Sequence, residues 1–264
     1  MAKRTRIPCA LTIAGSDSGG GAGIQADLKT FAALGVHGLT AITCLTAQNP
    51  AAVTGVQAAS PRLLEQQLAA VLAGFRPTAM KTGMLFNRRL IEITASFAAA
   101  NRRIPLVVDP VMIATSGACL LNGSATGALT GRLLPLATLL TPNVPEAEAL
   151  TGLAIRTIED QRQAARKLSG LFECAVVVKG GHLRGAEAAD IVFDGTDELL
   201  LTAPHIRGVK THGTGCTFSA AVTALLAKGC RLTEGVVRAK EFITQAIDRS
   251  QTVGRQTVLN PFWK

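Results

Sequence analysis

Gly213-Thr214-Gly215-Cys216 stands at the start of an apolar run of helical period that extends to about residue 228. The two glycines allow a sharp turn and a close approach of the backbone to a ligand. The helix predicted behind them begins with amide N–H groups that lack intrahelical partners, and such donors attract phosphate oxygens. The positive end of the helix dipole at this helix start is expected to lower the pKa of the Cys216 thiol. The stretch therefore predicts an anion hole beside a proton acceptor, a combination that suits phosphoryl transfer to a hydroxyl.

Strands and helices are predicted to alternate along the rest of the chain. Apolar strands are predicted at residues 11–14, 39–45, 79–82, 106–108, 138–141 and 174–179, with a small antiparallel pair at 190–193 and 198–202. Helices are predicted at residues 24–34, 61–75, 88–100, 124–136, 145–150, 158–171, 216–228 and 233–249. Continuously apolar strands that alternate with helices indicate a mainly parallel sheet covered on both faces. In such sheets the ligand lies beyond the carboxyl ends of the strands.

The size and composition of the chain favour one domain. It has 264 residues, of which 48% are hydrophobic and 17% are charged, and this fits a single α/β domain over residues 1–264. No stretch of 18 apolar residues is free of polar interruption, so we expect no membrane span. The apolar run at residues 9–14 is short and leads into a glycine-rich loop, so we interpret it as a first strand rather than as part of a signal peptide.

Cysteine usage and charge bear on the compartment and on the partners. The six cysteines lack the clustered spacing of a zinc site, and disulfide frameworks belong to short secreted chains, so we expect a reducing cytoplasm. The net charge is +9, but the basic residues are scattered, aromatic residues make up 4% and Tyr is absent. Stacking platforms for bases are therefore scarce, and we expect small anionic metabolites rather than nucleic acid as partners.

Two polar segments follow the first two predicted strands. Residues 15–23 contain five glycines but fit neither a P-loop nor a dinucleotide-binding fingerprint. Because so many glycines are costly for a mere connection, we expect this loop to approach a ligand. Gln48 and Asn49 carry amides that offer both a donor and an acceptor. An amide of this kind matches the edge of an aminopyrimidine, and it fits a turn or a strand cap equally well.

Carboxylates and an amide follow two later strands. Asp109 closes the strand at 106–108, and its position after Val107-Val108 places it near an apolar interior. Asn143 and Glu146 follow the next strand and, together with Asp109, could hold Mg²⁺ partly through water. The local sequence alone slightly favours structural roles over metal binding, with Asn143 as a helix N-cap and Glu146 as an ordinary residue of the first helical turn.

Basic residues and histidines complete the candidate set. Lys179, beside two glycines at a strand end, could present its charge to phosphate or reach into solvent. His182 and His212 lie beside loops, where a histidine is more often structural, and we assign neither a role in proton transfer. Lys240, in the middle of the last long helix, is by default a solvated surface charge.

Taken together, these segments closely resemble the hydroxymethylpyrimidine/phosphomethylpyrimidine kinases, which belong to the ribokinase-like group. The matching strings occur in the order that the family has and span most of the chain: residues 10–17, 21–30, 47–49, 81–85, 107–112, 141–143, 145–147, 179–182 and 211–217. The resemblance implies a three-layer α/β/α ribokinase-like fold with a mainly parallel central sheet. Members phosphorylate 4-amino-5-hydroxymethyl-2-methylpyrimidine and then its monophosphate, with ATP and Mg²⁺, and they commonly form homodimers.

The resemblance also implies roles for individual residues at the acceptor end of the site. Gln48 would bind the amino and ring-nitrogen edge of the pyrimidine. The acceptor pocket would be lined by Gly15, Asp27, Met84 and Val111. Cys216 takes the place of the aspartate base of other ribokinase-like enzymes, and the anion hole would be formed by Gly213, Thr214 and Gly215.

At the nucleotide end, the resemblance implies that Asp109, Asn143 and Glu146 surround magnesium and the phosphates, with Asp109 and Glu146 as the metal ligands. It further implies that Thr211, Lys179 and Lys240 contact ATP, which for Lys240 replaces the default of a surface charge.

Two departures from the family pattern and two alternative functions stay open. Thr115 stands where many members carry a lysine, and the tail at residues 251–264 lacks the usual Gly- and His-rich ending. Both bear on the preference between the first and the second phosphorylation. The first alternative is a pyridoxal or pyridoxine kinase on the same scaffold. The second is a non-catalytic metabolite sensor, although Cys216, Asp109 and Lys179 are all present.

Overall fold

The computed structural model describes residues 6–50, 52–112, 123–181, 187–206 and 212–263. Its strands are β1 (Cys9–Asp17), β2 (His37–Asn49), β3 (Ala52–Ala58), β4 (Ala79–Thr82), β5 (Leu106–Val108), β6 (Leu139–Leu140), β7 (Ala175–Lys179), β8 (Glu187–Phe193), β9 (Glu198–Pro204), β10 (Gln251–Val253) and β11 (Gln256–Val258). Its α-helices are α1 (Gly23–Ala33), α2 (Pro61–Gly74), α3 (Arg88–Ala100), α4 (Gly123–Ala128), α5 (Val144–Thr151), α6 (Ile158–Phe172), α7 (Thr214–Ala227) and α8 (Leu232–Asp248).

Within the described residues, β1 to β9 form one sheet in the order β3-β2-β1-β4-β5-β6-β7-β8-β9. The six strands from β2 to β7 in this order pair in parallel, whereas β3 at one edge and β8 and β9 at the other pair antiparallel. Leu11 in β1 stands opposite Leu39 on one side and Met80 on the other. The predicted mainly parallel sheet and the antiparallel pair β8–β9 are therefore confirmed.

Helices cover both faces of this sheet because each central strand is apolar on both sides. In β7, Val176 and Val178 pack into a core with helices α2 to α6, whereas Val177 packs into a second core with α7 and α8. On the second face, Phe31 of α1 also packs against the sheet. This alternation is the expected side-chain period of a strand. The predicted three-layer α/β/α arrangement is confirmed.

One predicted helix needs correction, and two features of the fold were not predicted. The helix predicted at 124–136 changes its hydrogen bonding after α4, to a π-helical turn at Leu129–Leu133 and a 3-10 turn at Leu134–Leu136. Pro135 explains the change, because proline lacks the N–H that an α-helix requires. The edge strand β3, with a glycine at its centre, and the terminal hairpin β10–β11 were not predicted.

Among the described residues, no helix is both long and apolar enough to cross a membrane.

The parallel strands bring the predicted motifs together. The glycine loop follows β1, Gln48 lies at the end of β2, and Asp109 follows β5. Asn143 and Lys179, after β6 and at the end of β7, form a parallel bridge with each other. Because parallel strands end at one edge of the sheet, these residues meet there, as the sequence predicts.

The central strand tests the packing of the core. Leu11 is fully buried, so Leu11→Ala should lower the free energy of unfolding by about 2–5 kcal/mol, since the cavity it leaves cannot refill completely. The control is Leu171→Ala, whose side chain on α6 is 54% exposed and whose change should stay within about 0.5 kcal/mol. Urea unfolding measures both, and equal losses for the two variants would contradict this assignment of the core.

Candidate active site

A cavity of about 660 Å³ opens at the carboxyl ends of the parallel strands. Its walls come from the glycine loop, from the ends of β2, β4, β5 and β7, and from the helices α5, α7 and α8. The residues predicted from sequence that line it are Gly15, Gln48, Met84, Asp109, Val111, Asn143, Glu146, Lys179, Gly213, Thr214, Gly215, Cys216 and Lys240. Thr211, His182 and Thr115 lie outside the described residues.

The start of α7 forms the floor of the cavity. Gly213 has φ +84°, and its carbonyl accepts the first helical hydrogen bond, from Thr217 N at 2.9 Å. A Cβ on Gly213 would collide with the carbonyl oxygen of Gly21, so the glycine loop and the turn before α7 pack backbone against backbone. The first amides of α7 have no carbonyl one turn earlier to bond. The start of α7 therefore brings amide donors and the positive end of the helix dipole to the cavity, and its role as an anion hole stays a prediction.

The predicted lowering of the Cys216 pKa is wrong for this structure. Burial raises the pKa of the Cys216 thiol to about 12, and the charges of Asp109 and Asp27 act in the same direction. The charge of Lys81 and a hydrogen bond from the backbone of Gly23 lower the pKa but do not compensate. Desolvation disfavours the thiolate more than the surrounding positive groups favour it. In this structure the thiol is therefore protonated at neutral pH.

An ion pair lies beside the start of α7. Lys179 Nζ is 3.1 Å from Asp109 Oδ1, and the Asp109 side chain is only 4% exposed. A Cβ on Gly215 would come within 3.2 Å of Lys179 Nζ and 3.6 Å of Asp109 Oδ2, so glycine leaves room for this pair. Burial would lower the pKa of Lys179, but the charges of Asp109 and Glu146 outweigh it and raise the pKa. Lys179 therefore stays positively charged and faces the cavity.

The segment after β6 combines two roles that the sequence left open. Asn143 Oδ1 accepts from Glu146 N, and Asn143 N donates to Glu146 Oε2, each at 2.9 Å. This is a capping box at the start of α5. Both residues also line the cavity. Burial, together with the charge of Asp109, raises the pKa of Glu146 to about 7, although Lys179 lowers it.

Lys240 is not a solvated surface charge. Its ammonium donates to Asp190 Oδ2 at 2.8 Å and to the carbonyl of Ala188 at 3.1 Å, and it borders the cavity. Asp190 Oδ1 also accepts from Gly180 N at 2.9 Å, so one carboxylate joins the loop after β7 to α8. Sequence reasoning missed Asp190. The available signal was a charged residue within an apolar strand, because a buried charge of this kind needs a partner.

The prediction that Asp27 lines the acceptor pocket is wrong for this structure. Asp27 is fully buried beneath the cavity, where its Oδ1 is 2.7 Å from Lys81 Nζ and its Oδ2 accepts from Thr12 Oγ1 at 2.6 Å. Lys81 lies between Asp27 and the cavity and borders the cavity itself. Sequence reasoning did not single out Lys81, although a lysine in the short strand Ala79–Thr82 was the available signal of a buried charge.

Gln48 lies at the end of the cavity opposite α8, the helix that carries Lys240. It lies near His212 and Asp17, to which the sequence analysis assigned no role. Its amide Nε2 is 3.1 Å from His212 Nε2, which is also 3.1 Å from Asp17 Oδ2. Met84 and Val111 add apolar surface to the cavity wall. The cavity therefore combines a polar amide with apolar surface, as ligand pockets for small molecules commonly do.

Comparisons with known proteins identify the family of the chain. The family model for phosphomethylpyrimidine kinase matches residues 17–260. The chain is 48% identical over 245 residues to the thiamine biosynthesis bifunctional protein ThiED of Geobacter sulfurreducens, covering 93% of this chain and 50% of that protein. It is 46% identical over 246 residues to the hydroxymethylpyrimidine/phosphomethylpyrimidine kinase of Bacillus subtilis, covering 93% and 91%.

Among solved structures, an ADP complex of Bacillus subtilis pyridoxal kinase is similar with a TM-score of 0.89 and 41% identity, covering 97% of each chain. The chain thus spans half the length of the Geobacter protein and nearly the whole of the two Bacillus proteins. The resemblance and the fold predicted from sequence are confirmed. The chain belongs to the phosphomethylpyrimidine kinase family and is a kinase with a ribokinase-like fold.

Proposed function

We propose that the protein transfers a phosphoryl group from ATP to the hydroxymethyl group of 4-amino-5-hydroxymethyl-2-methylpyrimidine. It then phosphorylates the monophosphate to the diphosphate, which serves thiamine diphosphate biosynthesis. The observation that carries this proposal is that one cavity holds both the amide of Gln48 and the amide-rich start of α7. The first matches the edge of an aminopyrimidine, and the second matches a phosphoryl group in transfer. The names of the similar bacterial kinases support the same substrate.

We place the nucleotide toward α8. Lys179 and Lys240 supply positive charge, and the cavity there is bordered by apolar side chains of β8, β9 and α8: Ala188, Ala203, Ile243 and Ile247. An apolar slot beside fixed cations suits a purine with a polyphosphate. The ADP bound by the similar pyridoxal kinase supports nucleotide use. The role given to Thr211 stays a prediction.

Asp109 and Glu146 fit a magnesium ion. Both line the cavity, and the charge of Asp109 raises the pKa of Glu146. Mg²⁺ is commonly held by one or two carboxylates together with substrate phosphates. Among the described residues, no group of three or more His, Cys, Asp or Glu could hold a metal ion. When bound, the ion would neutralise charge on the phosphates and on these carboxylates.

The chain's own contribution is positioning and charge stabilisation. The amides of Thr214, Gly215 and Cys216 would hold the oxygens of the phosphoryl group, and Lys179 would offset the charge that it gains. We propose that Cys216 first releases its own proton to solvent once the nucleotide site is neutralised, and that the resulting thiolate accepts the proton of the acceptor hydroxyl late in the transfer. Asp109 is one cause of the raised pKa of Cys216, so neutralisation of that carboxylate would favour the thiolate.

A second candidate function is the phosphorylation of pyridoxal. It is favoured by the pyridoxal kinase that shares 41% identity and 97% coverage with this chain.

We also retain as proposals one domain over residues 1–264, a homodimer, and a location in the cytoplasm.

The reaction is tested by phosphorus NMR of the protein with ATP, magnesium and either alcohol. We expect the hydroxymethylpyrimidine to give a monophosphate and then a diphosphate, because the product of the first step keeps the ring edge that Gln48 binds. Pyridoxal can yield only a monophosphate. Turnover of pyridoxal alone would overturn the pyrimidine assignment, and turnover of neither alcohol would favour the sensor alternative.

Replacement of the thiol tests the role of Cys216. Cys216→Ala should lower kcat by ~10²–10⁴ if the sulfur takes the proton. KM for ATP should change little. The matched control is Cys230→Ser, which alters a cysteine outside the cavity and should keep the full rate. Near-normal kcat in Cys216→Ala would remove the thiol from the mechanism.

The raised pKa of Glu146 predicts opposite effects of pH on activity and stability. Only ionised Glu146 can hold a cation, so kcat/KM for ATP at limiting magnesium should rise with pH through about 7. Conversely, the pKa is higher in the folded than in the unfolded chain, so the contribution of Glu146 to stability is present below pH 4.5 and declines as pH rises toward 7.

Glu146→Gln should remove both pH effects, whereas Glu241→Gln, at an exposed position on α8, should keep them. Initial rates measure the activity and urea unfolding measures the stability, each from pH 5 to 8. A wild-type inflection that survives in Glu146→Gln would assign the titration to another group.

A further inference from the structure

One ring nitrogen in the cavity has two partners that make opposite demands. His212 Nε2 is 3.1 Å from Asp17 Oδ2 and 3.1 Å from Gln48 Nε2. The histidine side chain is 14% exposed, and a Cβ on Gly21 would lie 3.0 Å from its Cδ2, so the ring is held against the glycine loop. A neutral imidazole nitrogen either donates or accepts a hydrogen bond, and it cannot do both.

Asp17 decides which form Nε2 takes. Its carboxylate already accepts from the backbone N–H groups of Gly19, Gly21 and Ala22, at 2.8, 3.1 and 2.8 Å. Burial alone would raise the pKa of Asp17, but the hydrogen bonds from His212, Ala22 and Gly19 outweigh it and hold the pKa below its usual value. An ionised carboxylate only accepts hydrogen bonds. Nε2 of His212 must therefore carry a proton and donate it toward Asp17.

This proton fixes the amide of Gln48. A protonated Nε2 cannot face an amide N–H₂, because two donors would then meet at 3.1 Å. The amide oxygen and nitrogen are assigned only from their partners, and exchanging them removes the conflict. The oxygen then faces His212, and the nitrogen donates to Thr46 Oγ1, 3.1 Å from that end of the amide. Thr46 in turn keeps its single hydrogen for the carbonyl of Ser16, at 2.9 Å.

We propose that His212, oriented by Asp17, sets the direction of the Gln48 amide and so determines which ring edge the site accepts. The proposal rests on the proposed function, because it takes Gln48 to face the ring of the substrate. With His212 and Thr46 as partners, the amide keeps one oxygen lone pair and one N–H for a ligand. An aminopyrimidine presents an amino donor beside a ring-nitrogen acceptor, which this pair satisfies. The reversed amide would set donor against donor and acceptor against acceptor.

The 4-oxo analogue of the substrate is the sharpest probe, because it presents a carbonyl acceptor beside a ring N–H donor. We expect the wild-type protein to prefer the amino compound in kcat/KM by about 100-fold or more, since two hydrogen bonds are mismatched in the analogue. In His212→Leu the carboxylate of Asp17 attracts the amide nitrogen of Gln48, so the reversed direction gains population. This preference should then fall at least about tenfold, through KM of the amino compound, with KM for ATP unchanged.

Two further variants separate this role from a structural one. His212→Gln can restore a donor near the position of Nε2 and should recover most of the preference. His37→Gln, which changes an exposed histidine stacked on Phe75, should keep all of it. An unchanged preference in a folded His212→Leu protein would overturn the proposal. So would an equal loss of kcat for both compounds with their ratio preserved.

Nitrogen NMR of the wild-type protein tests the hydrogen bond without substrate and without reliance on a variant that folds poorly. With ¹⁵N-labelled histidine, His212 should show a proton on Nε2. Protonation at Nδ1 alone would overturn the proposal. If the wild-type protein phosphorylates neither compound, the proposed function fails, while the tautomer still reports whether His212 donates to Asp17.

Discussion

The direct packing of the glycine loop against the turn before α7 is the constraint on which the site depends. Gly213 adopts φ +84°, and a Cβ there would collide with the carbonyl of Gly21. Gly23, with φ +57°, approaches the carbonyl of Gly15 in the same way. Because no side chains separate these backbones, the start of α7 lies at the end of β1. That contact sets the positions of Cys216, of the free helix amides, and of His212 relative to Asp17.

Buried ion pairs organise the charge of the cavity. Asp27 pairs with Lys81, Asp109 with Lys179, and Asp190 with Lys240, at 2.7, 3.1 and 2.8 Å. Pairs of this kind contribute little net stability because desolvation offsets their attraction, but they hold side chains in one direction. Among the described residues that line the cavity, the lysines are each matched by a carboxylate, and Asp17 and Glu146 add further negative charge. The described part of the cavity therefore has no unmatched lysine, and under the proposed function a divalent cation would supply the positive charge that a polyphosphate needs there.

The same desolvation explains why the sequence misjudged Cys216. The position of the thiol at a helix start predicts a lowered pKa, and the helix is where the sequence places it. The local pattern does not reveal that Asp27 and Asp109 converge beneath the sulfur, nor that packing removes water from it. These carboxylates come from elements far apart in the chain, because Asp27 lies in α1 and Asp109 follows β5. The assignment of Asp27 to the pocket wall failed for a related reason, since Lys81 from a neighbouring strand lies between it and the cavity.

The sequence by itself determined the alternation of strands and helices, the parallel sheet with two covered faces, and the edge at which the motifs gather. These follow from side-chain period and from the geometry of parallel strands, which are local or generic properties. It also determined the family, through motifs spread over most of the chain. Only the tertiary structure decided which side chains pair: Lys81 with Asp27, Lys240 with Asp190, and His212 with both Asp17 and Gln48. Such pairs join residues up to 195 positions apart, and the energy of each depends on burial that no single segment specifies.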